Sequence, residues 1–183
     1  MDNQLEWLEG TLADLEMDDN IDHIFVTQHT PAFPNGGHVK DDMWYQGNND
    51  YRPYIGGKAH ARGIIERRND FLDLLINKST KVIAMLTGDE HNYNRLKITS
   101  DMVIHPELYF GNRLEVGREI YQINNGAAGA PYYAQEKTPW SDHVTGFTTQ
   151  NALVFIHVDG MKVTMQVLNP DTLELIDEAV LRE

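Results

Sequence analysis

Two short apolar runs, each ending on residues that can hold a metal, constrain this chain more than any other feature. His23-Ile24-Phe25-Val26-Thr27 stops at Gln28-His29-Thr30-Pro31, and Lys81 to Thr87 (KVIAMLT) stops at Gly88-Asp89-Glu90-His91. Runs of this length and β-branched content, bounded by turn formers, read as buried strands. Between them, Ile64, Ile65, Phe71, Leu72 and Leu75 share one face of a helix expected from about Ala59 to Asn77. Strand, helix and strand in that order define an α/β fold. In open α/β sheets, ligands gather beyond the carboxyl ends of strands, so both run ends are expected to face one crevice.

The rest of the chain divides simply. Leu5, Leu8, Leu12 and Leu15 at helical spacing predict an amphipathic helix over residues 2–17. Pro31 to Gly57 has no period and reads as a long loop, of a length that is usually functional inside a domain. After the second run the pattern turns to β, with strands expected at Arg95–Thr99, Glu119–Asn124, Ala152–Val158, Lys162–Leu168 and Leu175–Leu181. Asp159-Gly160 and Asn169-Pro170-Asp171 mark turns between the last three. Gly126 to Thr149 reads as irregular, with its aromatics ordered over the same face. Nothing marks a linker, so 1–183 reads as a single domain.

Chemistry enters at the strand ends. Imidazole and carboxylate are good ligands for first-row divalent ions, which makes His29, Asp89 and His91 the metal candidates. Asp89 and His91 are two apart, and an extended backbone points both to one side with Glu90 turned away. For each, the plainer reading is a loop histidine or a turn-capping aspartate.

The composition closes several doors. The formal net charge is −13, from 28 acidic and 15 basic residues, which argues against binding a nucleic-acid backbone or an anionic membrane. No stretch approaches the roughly 18 consecutive apolar residues of a membrane span. Cysteine is absent, which excludes disulfides and thiolate metal sites and leaves the compartment open. Asn124-Asn125-Gly126-Ala127-Ala128-Gly129-Ala130 is glycine-rich, but no Lys-Ser/Thr follows, so it is not read as a nucleotide loop.

Taken in order, the Trp7-Leu8 helix, strand, His29-Thr30-Pro31, long loop, helix, strand and Gly88-Asp89-Glu90-His91-Asn92-Tyr93-Asn94-Arg95 resemble the carboxy-terminal half of calcineurin-like metallophosphoesterases. The likeness is to their purple-acid-phosphatase and alkaline-phosphatase-D-like branches and covers nearly the whole chain. It implies part of a four-layer α/β/β/α sandwich, β-rich in its second half. It implies two transition-metal ions (Mn, Fe or Zn), with His29 and position 89 on one and His91 on the other. It also implies hydrolysis of a phosphomonoester or phosphodiester small molecule by a metal-activated hydroxide, and leans towards an extracytoplasmic or secreted setting. Tyr51, Arg52, His60 and Arg95 become candidate substrate contacts, Arg suiting phosphate through its planar donor fork. Tyr93 and Arg95 can equally fix the motif loop.

The chain departs from the family pattern in two ways. Asp89 stands where the family has His, which favours Mn or Fe over Zn. The family's amino-terminal motifs do not occur before His29. The expectation is therefore a fragment, inactive alone and prone to self-association through uncovered apolar surface, within a longer hydrolase. The alternative is a binding or scaffold module that kept the fold without catalysis, and a further possibility is that another chain supplies the missing half.

Overall fold

The computed structural model describes residues 2–39, 54–55, 58–59, 63–105, 109 and 111–183. In chain order these form α1 (Asp2–Met17), β1 (Ile24–Thr27), β2 (Tyr54–Ile55), β3 (Lys58–Ala59), α2 (Ile64–Ile76), β4 (Val82–Thr87), β5 (Tyr93–Ile98), β6 (Ile120–Asn125), β7 (Val144–Thr148), β8 (Leu153–Asp159), β9 (Lys162–Leu168) and β10 (Leu175–Arg182). Most boundaries fall within two residues of those read from the sequence. Two expectations need correcting. Ala59 pairs with Tyr54 in a small hairpin, so α2 starts later, behind Gly63. The stretch Gly126 to Thr149 contains a strand, β7, whose Val-Thr-Gly-Phe-Thr sequence lacks the alternation that would have marked it.

Five strands form one mixed sheet in the order β1-β4-β6-β5-β7. β1, β4 and β6 run parallel, and β5 lies antiparallel between β6 and β7. β10, β9 and β8 form a separate antiparallel sheet. Each sheet follows from its residues. β4 is buried along almost its whole length, as a strand covered on both faces must be. β9 instead alternates, with Val163, Met165 and Val167 buried and Gln166 exposed.

The layers sort the apolar residues into two cores. On one face of the mixed sheet, α1 and α2 deliver Leu12, Ile65, Leu72 and Leu75 onto Val82, Met85, Leu96 and Ile120. On the other, Ile83, Tyr93 and Ile123 meet Val163, Met165 and Val167 of the second sheet. Helices, mixed sheet and antiparallel sheet are thus three stacked layers, an α/β fold with a β-rich second half. The far face of the second sheet leaves Leu153, Phe155, Leu175 and Val180 exposed.

Polar pins set the angles between layers. At the entry to β4, the Glu16 carboxylate accepts hydrogen bonds from Ser79 Oγ at 2.6 Å, Thr80 N at 3.0 Å, Thr80 Oγ1 at 2.9 Å and Lys81 N at 2.9 Å. Burial works against its charge, but the Ser79 hydroxyl and the Lys81 and Thr80 donors outweigh it and draw the carboxyl down to about 2. A depressed folded value means stability that is complete above the unfolded pKa near 4.5 and lost as pH falls towards 2. Glu16→Gln is expected to flatten this part of the acid limb, measured by urea unfolding at pH values between 2 and 6.

Candidate metal centre at the strand ends

β1 and β4 are parallel neighbours, so their carboxyl ends open side by side. The Gly88 N–H donates to the His29 carbonyl at 2.9 Å, tying the two exits together. There His29 Nε2 lies 3.2 Å from Asp89 Oδ1, and Thr30 Oγ1 lies 3.4 Å from Asp89 Oδ2. A third side chain joins them: His38 Nε2 is 3.8 Å from the same Asp89 oxygen. The His29 side chain is 77% exposed, while those of Asp89 and His38 are largely covered.

The turn that carries Asp89 and His91 is not the extended backbone expected from spacing. Glu90 N donates to Gly88 O at 2.8 Å and Asn92 N to Glu90 O at 2.7 Å, two consecutive three-residue turns. Asp89, at the centre of the first, has φ 68°, a left-handed conformation that aspartate tolerates better than most residues. His91, at the centre of the second, donates from Nδ1 to the Pro131 carbonyl at 2.7 Å. A carbonyl can only accept, so Nδ1 carries the proton and the Nε2 lone pair is left for another partner. His91 also stacks on Tyr133, with ring centroids 4.3 Å apart.

Glu90 turns away from these groups, as expected, but into the protein rather than into solvent. Its fully buried carboxylate accepts from Asn35 N at 2.7 Å and Gly36 N at 2.6 Å, with Asn94 Nδ2 at 3.4 Å. Burial pushes the carboxyl up to about 7, and the Gly36, Asn35 and Asn94 donors recover part of that shift. The chain leading to His38 is therefore held from the motif turn itself. Two further buried amides complete the floor. Gln122 brackets Phe33, accepting from its N–H at 3.0 Å and donating to its carbonyl at 2.8 Å. Asn124 Nδ2 donates to the carbonyls of Glu90 and Asn92 at 2.9 and 2.8 Å. Gly126 follows because a Cβ there would stand 2.0 Å from the Glu90 carbonyl oxygen.

Of the substrate candidates, Tyr51, Arg52 and His60 lie outside the described residues. Arg95 faces the second sheet, where its Nε and a terminal nitrogen hold both oxygens of Asp177 at 2.8 and 2.9 Å. Tyr93 donates its hydroxyl to the same carboxylate at 2.6 Å. The guanidinium fork is thus occupied, and its observed work is to pin β5 to β10. His105 is buried against Tyr109 and Asn69, and burial with Arg68 and Arg113 nearby lowers it to about 4, a neutral structural histidine. Sequence reasoning gave no role to His38, Glu90 or Gln122. His38 had a faint signal, a histidine in a long loop; the two buried polar residues had none.

The donor set fits part of an ion site. His29 and Asp89 supply one imidazole and one carboxylate at close range, and His91 offers a lone pair fixed by its carbonyl partner, the usual support for a metal-bound histidine. Among the described residues, however, no group of three His, Cys, Asp or Glu side chains is arranged to hold an ion alone.

No protein-family model matches the chain, and no curated protein matches it. Among solved structures, the chain is similar to a purple acid phosphatase isolated from yellow lupin (Lupinus luteus) seeds, with a TM-score of 0.55 and 15% sequence identity. The match covers 97% of this chain and 28% of that one. The fold is therefore similar to that of part of this purple acid phosphatase. At that identity the likeness shows the fold alone.

Two substitutions check this account. Glu90→Ala strands the Asn35 and Gly36 N–H groups and is expected to cost about 1–3 kcal/mol for each left unpaired, read from urea denaturation. Arg95→Ala leaves the Asp177 carboxylate without its cation and is expected to cost about 3 kcal/mol in the same assay, with less penalty when Asp177→Ala is added.

Proposed function

We propose that this chain is the carboxy-terminal portion of a metal-dependent phosphoesterase, acting on a phosphomonoester or phosphodiester small molecule within a longer protein. The observation that carries the reading is the Asp89 carboxylate oxygen, faced by His29 at 3.2 Å and His38 at 3.8 Å beyond the ends of two parallel strands. His29 and Asp89 are assigned to one ion and His91 to a second. The anionic Asp89 favours Mn or Fe over Zn. Bound there, such ions supply Lewis acidity and lower the pKa of a coordinated water.

The chain's own residues have separate tasks. Asp89 orients His29 through their short contact. The Pro131 carbonyl keeps the His91 proton on Nδ1, which leaves the Nε2 lone pair as the ligand. His38, its Nε2 nitrogen already turned towards the site, is placed to donate to a phosphoryl oxygen or a leaving group. Tyr51, Arg52 and His60 remain assigned to the substrate side by resemblance.

The open geometry supports a longer protein. Among the described residues β1 is an edge strand, and its apolar Ile24, Phe25 and Val26 carry none of the proline or lysine that usually protects an edge. A strand added there would bring further groups beside His29. The chain also spans 28% of the similar phosphatase. One observation favours the second reading, a fold retained for binding or scaffolding: among the described residues, no group of three His, Asp or Glu side chains is arranged to hold an ion.

The test uses the longer protein that contains this chain, supplied with Mn or Fe. Hydrolysis of p-nitrophenyl phosphate or its bis-ester is expected. Asp89→Ala and His91→Ala should each lower kcat/KM by more than about 100-fold, beyond the loss typical of a residue that only supports a ligand. A well-folded, metal-supplemented protein that retains no metal would sink the catalytic reading in favour of the scaffold.

A further inference from the structure

We propose that Tyr133 is the positioning residue of this site, one ring that sets both His38 and His91 from different sides. The role assigned to those histidines rests on the phosphoesterase reading; the contact geometry does not. His91 lies parallel to the Tyr133 ring at 4.3 Å and 7° between planes, while His38 meets it edge-on at 5.6 Å and 74°. Offset-stacked and edge-to-face pairs are both favourable aromatic geometries.

Three backbone features hold the ring in place. The Tyr133 N–H donates to the His91 carbonyl at 3.2 Å, and the Tyr133 carbonyl accepts from Asn92 Nδ2 at 3.4 Å. On the third side the ring lies against Gly37, where a Cβ would stand 2.1 Å from Tyr133 Cδ2. Gly37 has φ +90°, so glycine serves both the backbone and the close approach of the ring. Tyr133 belongs to neither apolar core, which separates its ring from ordinary core packing.

The consequence is a linked pair of imidazoles. His91 is fixed by two groups of one short segment, the Pro131 carbonyl for its proton and the Tyr133 ring for its plane. His38 comes from a different loop, yet leans on the same ring while facing Asp89. Tyr133 therefore sets the angle between a ligand candidate and a candidate donor.

The experiment is NMR of the full chain without metal, at a pH well above the ordinary imidazole value of about 6.5. In the wild type, the His91 ring protons are expected upfield, over the Tyr133 face, with well-separated signals from its protonated and unprotonated nitrogens. Tyr133→Phe should preserve this pattern. Tyr133→Leu, which fills the space without a ring, should abolish the upfield shift, draw the two His91 nitrogen signals together and move the His38 ring signals. Amide signals of β8, β9 and β10 control for folding. Unchanged His38 and His91 signals in a folded Tyr133→Leu chain would overturn the proposal. So would a wild-type His91 with no upfield shift, whatever the variant's folding. Hydrolysis and metal content do not enter this test, so its failure is distinct from failure of the phosphoesterase reading.

Discussion

A carboxylate that never meets solvent underlies the site. Glu90 lies between the two ligand candidates of its turn, yet its side chain faces inward to the backbone donors of Asn35 and Gly36. These bonds join the segment after β4 to the segment after β1, beside the Gly88–His29 backbone bond. Without them, the segment leading to His38 loses one of its holds, and the turn loses its anchor on the protein side. An unpaired buried carboxylate would be costly, so the partners and the carboxylate enforce each other.

The same logic extends below the turn. Asn124 holds the Glu90 and Asn92 carbonyls, and Gln122 holds Phe33 from both its N–H and its carbonyl. These are side chains standing in for strand partners where irregular backbone crosses the end of the sheet. Buried polar networks of this kind specify one arrangement because partial satisfaction is penalised. Side chains therefore hold the backbone where the chain is least regular.

The sequence made the layers legible because burial leaves a period. β4 reads as a continuous apolar run and the helices as striped ones, and these match the observed elements. β7 escaped because its alternation is broken by Gly146, which sits under the Asp177 carboxylate and has no room for a side chain. The strand ends announced His29 and Asp89 through residue type alone. The inward placement of Glu90 depends on contacts with residues more than fifty positions away, which no local pattern encodes. Arg95 shows the same limit: a planar cation beside a candidate metal motif suggests phosphate, but its partner is the carboxylate of Asp177, more than eighty residues on.

That partner also bears on timing. Tyr93 and Arg95 of β5 are fastened to Asp177 of β10, across more than eighty residues. Closing so long a loop costs entropy before any contact returns it, and such long-range pairings slow folding. On a ribosome, the strand that leads out of the Asp89 turn cannot acquire this fastening until β10 has emerged. The joint between the two sheets therefore forms later than the turns around Asp89, whose own hydrogen bonds each span two residues.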